Sequence, residues 1–283
     1  MIVRPSSLDH RRQGLGTPKI SAAVVVADTT KVDVGMGSKF PNTADNAGSS
    51  TGSGSSSDDG ENGNPGETAH IKYSANWSGA IVHGTEFETV AGTLAVPLPH
   101  APSDSDPDIF YGASAWVGFD GDSSCPSVIL QVGIDFNIQN GTPMYDAWFE
   151  WYPDYSYNFA GFLLHAGDVV TLTATAINTT SGSVLVENHT TGESAMHTFV
   201  GEEQPLCQSS AEWIVEDYSV GGRLVDLCDW GRATFTDCEA KQASGATASL
   251  SNATVYEITN DRGKLMTDCS ISGSSIVTCE YIG

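Results

Sequence analysis

From Ile71 onward, short runs rich in Val, Thr, Ile, Tyr and Trp alternate with clusters of Gly, Asn, Asp and Ser at intervals of roughly ten residues. β-branched and aromatic residues favour strands, and no segment has the spacing of an amphipathic helix. The pattern therefore predicts an all-β fold in which two antiparallel sheets pack as a sandwich. The clearest predicted strands are 77–83, 115–119, 127–136, 145–152, 168–177, 184–187 and 212–215.

The predicted strands differ between their two faces, because successive side chains of a strand point to opposite sides of the sheet. In the run 127–136, for example, one face is apolar while the other holds Gln131 and Asp135. If the apolar faces all point inward, the outer face of one sheet presents Trp116, Asp120, Gln131, Asp135, Trp148, Glu150 and Glu212. Such a face is typical of a cleft for an extended polymer. A solvated outer face is the alternative, and two exposed Trp side chains weigh against it.

The charge balance narrows the classes of function. The chain of 283 residues has 35 acidic and 12 basic residues, a formal net charge of −23. Nucleic-acid binding needs clustered Lys and Arg, so this class is excluded, and no apolar run is long enough for a membrane-spanning helix. Repulsion among carboxylates is relieved in acid, which indicates an acidic working environment; acidity that serves only solubility is the alternative.

The composition changes near residue 70 and predicts three segments. Residues 48–70 contain a Gly, Ser and Asp-rich tract with almost nothing to bury, which predicts a disordered linker. Residues 1–47, a predicted leader or propeptide, carry half of the basic residues of the chain. The predicted domain 71–283 keeps 6 basic against 27 acidic residues. This asymmetry suggests that the leader masks the domain at neutral pH and dissociates in acid; a mere spacer is the alternative.

The six cysteines form no CxxC pair and have no His at metal-ligand spacing, so a metal site has little support. An even number of widely spaced cysteines indicates disulfides and hence secretion. Five Asn-x-Ser/Thr sequons fit the same compartment, although the apolar run 22–27 is too short and too far from the start to be a convincing signal peptide. The sequons are at Asn76, Asn140, Asn178, Asn188 and Asn252.

The motifs of serine hydrolases, zinc peptidases and pepsin-like peptidases are missing: the sequence has no HExxH or Asp-Thr/Ser-Gly, and its one Gly-x-Ser-x-Gly match, at 48–52, lies in the Gly and Ser-rich tract and not in a strand-to-helix elbow. Carboxylate chemistry remains. Two interpretations compete on the residues alone. In the first, a pair of carboxylates cleaves a glycoside. In the second, one carboxylate with a polar partner activates a water molecule for attack on an amide.

Five motifs, in order along the chain, resemble the glutamic peptidases, also called eqolisins. They are SANWSGAIV (74–82), SAWVGFDGD (114–122), ILQVGIDF (129–136), YDAWFEWYPDYSY (145–157) and AEWIVEDY (211–218). The resemblance covers about residues 71–283. It implies a jelly-roll or concanavalin A-like sandwich with about seven strands in each sheet, and an endopeptidase that acts in acid on protein or peptide substrates without a cofactor.

By motif, the resemblance implies a catalytic pair of Gln131 and Glu212. Glu212 is the general base and acid on a bound water, and Gln131 stabilises the oxyanion. Further positions that line or support the family's cleft are Trp77, Trp116, Asp120, Asp135, Trp148 and Glu150. We expect Glu150 either to raise the pKa of Glu212 or to hydrogen-bond Gln131 or water. We expect a monomer.

The resemblance also implies a disulfide between Cys125 and Cys207. Cys269 and Cys279 flank a turn-like Ser-Gly-Ser, which favours a bridge across a hairpin, and elimination then pairs Cys228 with Cys238.

Two alternatives from other functional classes use the same outer face. One is a jelly-roll glycosidase with Glu150 and Glu212 as acid and base and with Trp116 and Trp148 stacking on sugar rings. The other is a lectin-like module without catalysis.

Overall fold

The computed structural model describes residues 25–26 and 70–283, with side chains over 70–283. The predicted leader and linker therefore lie outside the described residues, apart from one short strand and His70. In chain order the strands are β1 (Val25–Val26), β2 (His70–Ser74), β3 (Trp77–His83), β4 (Phe87–Ala95), β5 (Tyr111–Phe119), β6 (Ile129–Gln139), β7 (Thr142–Tyr152), β8 (Tyr157–Asn158), β9 (Val169–Asn178), β10 (Ser181–Asn188), β11 (Glu193–Val200), β12 (Ser210–Glu216), β13 (Ser219–Val220), β14 (Arg223–Leu224), β15 (Asp226–Leu227), β16 (Arg232–Gln242), β17 (Thr247–Ala248), β18 (Thr254–Ile258), β19 (Thr267–Ser272) and β20 (Ile276–Tyr281).

The strands form two nine-stranded sheets and one small hairpin of β13 and β14. The back sheet has the order β1-β11-β10-β9-β4-β16-β20-β19, with β17 added beside β16. The front sheet has the order β2-β18-β3-β12-β5-β6-β7-β8, with β15 added beside β5. Each sheet contains two strands of only two residues, so seven longer strands remain in each, as predicted. Pairing is antiparallel except for β1 with β11, β2 with β18 and β15 with β5.

The all-β prediction is confirmed, and every predicted strand lies on an observed one. Within residues 70–283, the exceptions to β structure are loops and one 3-10 helix, Leu250–Asn252. No helix within 70–283 is long and apolar enough to span a membrane. Strands such as β4 and β16 did not stand out in the sequence because Thr and charged residues occupy many of their outward positions.

The main core lies between the two sheets. Leu130, Val132, Ile134 and Phe136, which share one face of β6, are all fully buried there. The alternation of side chains along a strand therefore identified the inward face of β6 correctly. A second, smaller cluster lies on the opposite, outer face of the front sheet. It consists of Ile81, Trp116, Trp148, Ile214 and Tyr256.

The described part of the chain contains two disulfides, Cys125–Cys207 and Cys269–Cys279. Both pairings agree with the predictions. The predicted bridge between Cys228 and Cys238 is wrong, because both are buried free thiols. The two residues lie beside different sheets. The backbone N–H of Cys228 donates to Gly112 of β5, whereas Cys238 lies on β16 of the back sheet.

Candidate active site

Glu212 and Gln131 lie on one line of paired residues that crosses four strands of the front sheet. Glu212 of β12 pairs with Gly118 of β5, Gly118 pairs with Gln131 of β6, and Gln131 pairs with Glu150 of β7. Neighbouring strands are about 4.8 Å apart, so the backbones of Glu212 and Gln131 are about 10 Å apart. The residue between them on β5 is Gly118, so no side chain of β5 separates the two.

Gly118 has no room for a side chain. An added Cβ would lie 2.7 Å from the carbonyl oxygen of Leu130 and 3.0 Å from the Cβ of Gln131. The two predicted catalytic side chains therefore face each other over a position where only glycine fits.

Each of the two side chains has one polar atom held and one without a protein partner. The amide Nε2 of Gln131 donates to Oε2 of Glu150 over 2.6 Å, and Ser210 Oγ donates to Oε1 of Glu212 over 2.9 Å. Oε1 of Gln131 and Oε2 of Glu212 are buried and have no hydrogen-bond partner among residues 70–283. Buried polar atoms are normally paired, so these two oxygens mark a place for a polar ligand.

The electrostatic setting of Glu212 favours its neutral form. Its side chain is fully buried. Burial raises the pKa of Glu212 well above its usual value, and charge repulsion from Asp122 and Asp120 raises it further, whereas the hydrogen bond from Ser210 lowers it. Glu150 contacts Gln131 directly, so hydrogen bonding is the expectation that the geometry favours for this residue.

Tryptophan side chains line the neighbouring positions of the same face. The next line of paired residues runs from Ile214 through Trp116 and Gly133 to Trp148. An added Cβ at Gly133 would lie 2.5 Å from the ring of Trp148, so this ring covers the glycine. Trp77 meets Trp116 edge to face with ring centroids 5.1 Å apart. The arrangement forms an apolar floor beside the polar pair.

Trp116 is held by a carboxylate that the sequence analysis did not single out. Its Nε1 donates to Oε2 of Glu216 over 2.9 Å, and Asn76 Nδ2 donates to Oε1 of the same residue over 3.1 Å. The sequon asparagine Asn76 is thus part of the support beneath this aromatic floor.

Asp120 does not point into the cleft but supports it. Its carboxylate accepts hydrogen bonds from the backbone N–H groups of Cys207, Gln208 and Ser209, and from the hydroxyl of Ser209. These bonds attach the segment before β12 to the end of β5, beside the Cys125–Cys207 disulfide. Asp120 thereby sets the position from which β12 carries Glu212 into the sheet.

Asp135 is buried on the cleft face, where it pairs with Ser114 of β5 and Asp146 of β7. It lies four residues along β6 from Gln131, beyond the Trp116 line, so the structure separates it from the Gln131 and Glu212 pair.

One cluster within 70–283 has metal-ligand types close together, namely Asp120, Cys125 and Cys207. Both of its sulfurs are in the disulfide and offer no thiolate. The donor set therefore does not suit a metal ion.

Comparison with known proteins assigns this arrangement to a family. The family model "Peptidase A4 family" matches residues 75–281, which include all six motif-derived cleft positions and both central residues. The chain belongs to the peptidase A4 family. It is a glutamic-type peptidase, as the sequence resemblance implied.

Relatives and solved structures of the A4 family agree with this assignment. The chain is 43% identical over 230 residues to Aspergillopepsin-2 of Aspergillus niger, covering 76% of this chain and 80% of the relative. It is 36% identical over 216 residues to Scytalidopepsin B of Scytalidium lignicola, covering 74% and 78%. A crystal structure of scytalido-glutamic peptidase with a transition state analog inhibitor matches with a TM-score of 0.66 at 36% identity, over 74% of this chain and 98% of that one. The aspergilloglutamic peptidase of A. niger matches with a TM-score of 0.58 at 48% identity, over 61% and 99%.

The sequence analysis did not predict a role at the site for Ser210, Glu216 or Gly118, although Gly118 and Glu216 lie inside two of the five motifs. A sequence signal exists for Ser210, because it lies two residues before Glu212 and hence on the same strand face. The role of Gly118 depends on the register between β5 and β12, because this register places Gly118 opposite Glu212. No local pattern in the sequence specifies it.

Proposed function

We propose that this A4 peptidase is an acid endopeptidase in which Gln131 and Glu212 hold and activate a water molecule. The observation that carries this proposal is the pair of buried oxygens, Gln131 Oε1 and Glu212 Oε2, on either side of Gly118. A water between them donates one hydrogen to each oxygen and keeps its lone pair for attack on a peptide carbonyl. Glu212 as general base then takes the proton from the attacking water.

The amide of Gln131 stabilises the oxyanion that forms. Its Nε2 carries two hydrogens, and Glu150 accepts only one of them. The second hydrogen is available for the tetrahedral intermediate, a kind of contact worth about 3 kcal/mol in other enzymes. Because a carboxylate accepts but does not donate when it is ionised, Glu150 also orients the amide with nitrogen rather than oxygen toward itself. Protonated Glu212 finally donates to the leaving amine, and no covalent intermediate forms.

Two opposing effects limit the pH range of activity. Activity falls at low pH as Glu212 becomes protonated; burial raises the pKa of Glu212, and the hydrogen bond from Ser210 opposes this rise. At higher pH, other buried carboxyl groups ionise and destabilise the fold; burial raises the pKa of Asp217 to about 8 and also raises the pKa of Glu257.

The alternative with two carboxylates cleaving a glycoside is disfavoured by the pairing of the strands. Glu150 and Glu212 lie three strand spacings apart, about 14 Å between backbones, with Gln131 between them. Glycosidase carboxyl groups are about 5 to 9.5 Å apart. Moreover, Glu150 is already hydrogen-bonded to Gln131.

We propose extracellular proteins and peptides as substrates. Disulfides persist in oxidising compartments, and this chain has two. The outer face of the front sheet has an apolar floor beside the polar pair, which suits an extended polypeptide. That the enzyme works as a monomer and that its leader inhibits it stay predictions.

The test is cleavage of an acid-denatured protein between pH 2 and 7 by the wild-type enzyme, Glu212→Gln and Gln131→Ala. We expect acid-dependent cleavage that both variants lose, while Glu193→Gln on β11 of the back sheet, which removes a charge elsewhere, keeps it. Circular dichroism checks that all four proteins are folded. Full activity in Glu212→Gln would refute the proposed mechanism.

A further inference from the structure

We propose that Ser210 is a positioning residue for the general base: its hydroxyl holds one oxygen of the Glu212 carboxylate and leaves the other oxygen to take the proton from water. This inference rests on the proposed role of Glu212. It assigns a function to a residue outside the motifs that identified the family.

The geometry places Ser210 beside Glu212 from the same strand. The two residues are two positions apart on β12, so their side chains leave the sheet on the same face. Both are fully buried, and Ser210 Oγ lies 2.9 Å from Glu212 Oε1. An ionised carboxylate only accepts hydrogen bonds, so the hydroxyl is the donor. With Oε1 occupied in this way, Oε2 is the oxygen without a partner among the described residues.

The backbone around Ser210 is fixed in place. Its carbonyl accepts the N–H of Asp120 over 3.4 Å, and the three residues before it donate their N–H groups to the Asp120 carboxylate. The disulfide between Cys125 and Cys207 holds the same segment. The hydroxyl therefore needs no reordering when substrate binds, which is the condition for a preorganised site.

The charged and titratable groups around Glu212 come from several elements. Asp120 and Asp122 follow β5, His83 ends β3 and contacts Asp122 over 2.7 Å, and Tyr256 of β18 accepts a hydrogen bond from Lys72 of β2. Across Gly118 lie Gln131 and Glu150, which are bonded to each other.

Among the influences on Glu212, burial and the two aspartates raise its pKa, and the hydroxyl of Ser210 lowers it. Removal of Ser210 Oγ therefore leaves the carboxylate with less support for its ionised form. Glu150 has the corresponding role for Gln131, because it holds one hydrogen of the amide. Each member of the pair thus has one atom held by a neighbour on the same sheet face.

The test is the pH dependence of kcat/KM for Ser210→Ala. The acidic limb is the low-pH side of this profile, where kcat/KM falls as Glu212 becomes protonated. A hydrogen bond to a charged group is strong enough that its loss should move this limb upward by about one pH unit, which is a tenfold loss of kcat/KM at a pH below the limb. Ser210→Thr keeps the hydroxyl and should restore the limb. The matched control is Ser78→Ala, which removes another fully buried serine hydroxyl, one that donates to the carbonyl of Val215 and does not contact Glu212. Its acidic limb should not move.

Two results separate the proposals. An unmoved limb in Ser210→Ala, with Glu212→Gln inactive, would overturn the role of Ser210 alone. An active Glu212→Gln would overturn both. If Ser210→Ala does not fold, Ser210→Cys provides the same comparison, since a thiol is a weaker donor and should also raise the limb; an unmoved limb in that variant would overturn the role equally.

Discussion

Asp217 should make the stability of this peptidase depend strongly on pH. It follows β12 directly, its side chain is 8% exposed, and its Oδ1 has no hydrogen-bond partner within the described range 70–283. Burial, followed by repulsion from Glu216 and Asp226, raises its pKa from 3.8 to about 8. In the unfolded chain Asp217 ionises near its ordinary pKa, so the folded state alone holds the proton between these values.

The sign and size of the effect follow from linkage. Stability from this group is fully present below about pH 4 and is lost as the pH rises to about 8, because the unfolded state releases its proton first. A difference of about four pKa units corresponds to about 6 kcal/mol. The total stability of a domain is typically about 5–15 kcal/mol, so this one ionisation is large enough to determine whether the protein stays folded at neutral pH.

The variant Asp217→Asn keeps the shape of the protonated carboxyl but cannot ionise. Urea unfolding followed by tryptophan fluorescence, at pH values from 4 to 8, should show equal stability of variant and wild type near pH 4. The variant should then gain by up to about 6 kcal/mol toward pH 8. Asp261→Asn, at an exposed turn, is the control for the loss of one negative charge. If wild type and Asp217→Asn lose the same stability across this range, the reasoning is refuted.

Three further predictions concern the site and its support. Gly118→Ala places a Cβ against the backbone of β6 and should displace Gln131, with a loss of about 100-fold in kcat/KM in a folded protein; unchanged activity would contradict the arrangement across Gly118. Glu150→Gln replaces a carboxylate that only accepts with an amide that can also donate, so the Gln131 amide loses its fixed orientation; kcat should fall by about tenfold, with little change in the thermal midpoint. Replacing Cys125 and Cys207 together by Ala opens a loop of 82 residues and should cost about 4.5 kcal/mol in urea unfolding at pH 4, where a loss below 1 kcal/mol would refute the entropic estimate.

Part of the site could be predicted from local signals. Period two separates Gln131 from the core side of β6, and the same rule places Glu150 on the outer face of β7. The pairing of these two residues also has a local origin. Asn140 and Gly141, both with positive φ, form the two-residue turn between β6 and β7, and Asn-Gly is the preferred sequence for such a hairpin. Counting outward from this turn brings Gln131 opposite Glu150.

The cysteines show where local reasoning fails. Cys269 and Cys279 lie on a hairpin whose strands pair them directly, so spacing was a sufficient guide. Cys228 and Cys238 are also ten residues apart, but the chain crosses from the front sheet to the back sheet between them. Their pairing was inferred from what remained rather than from a shared element, and a sandwich can bury two thiols as ordinary apolar side chains.

The position of Glu212 relative to Gln131 could not be predicted by counting residues from a turn, because β12 pairs with β5 and lies far from it in the sequence. Its register depends on long-range attachments: the disulfide from Cys125 to Cys207 and the hydrogen bonds that three backbone N–H groups donate to Asp120. A shift of one residue would turn Glu212 into the core and Trp213 into the cleft. The support of β12 is therefore as important for the proposed chemistry as the two side chains proposed to react, and we expect damage to Asp120 or the disulfide to lower activity through the position of Glu212 rather than through substrate contacts.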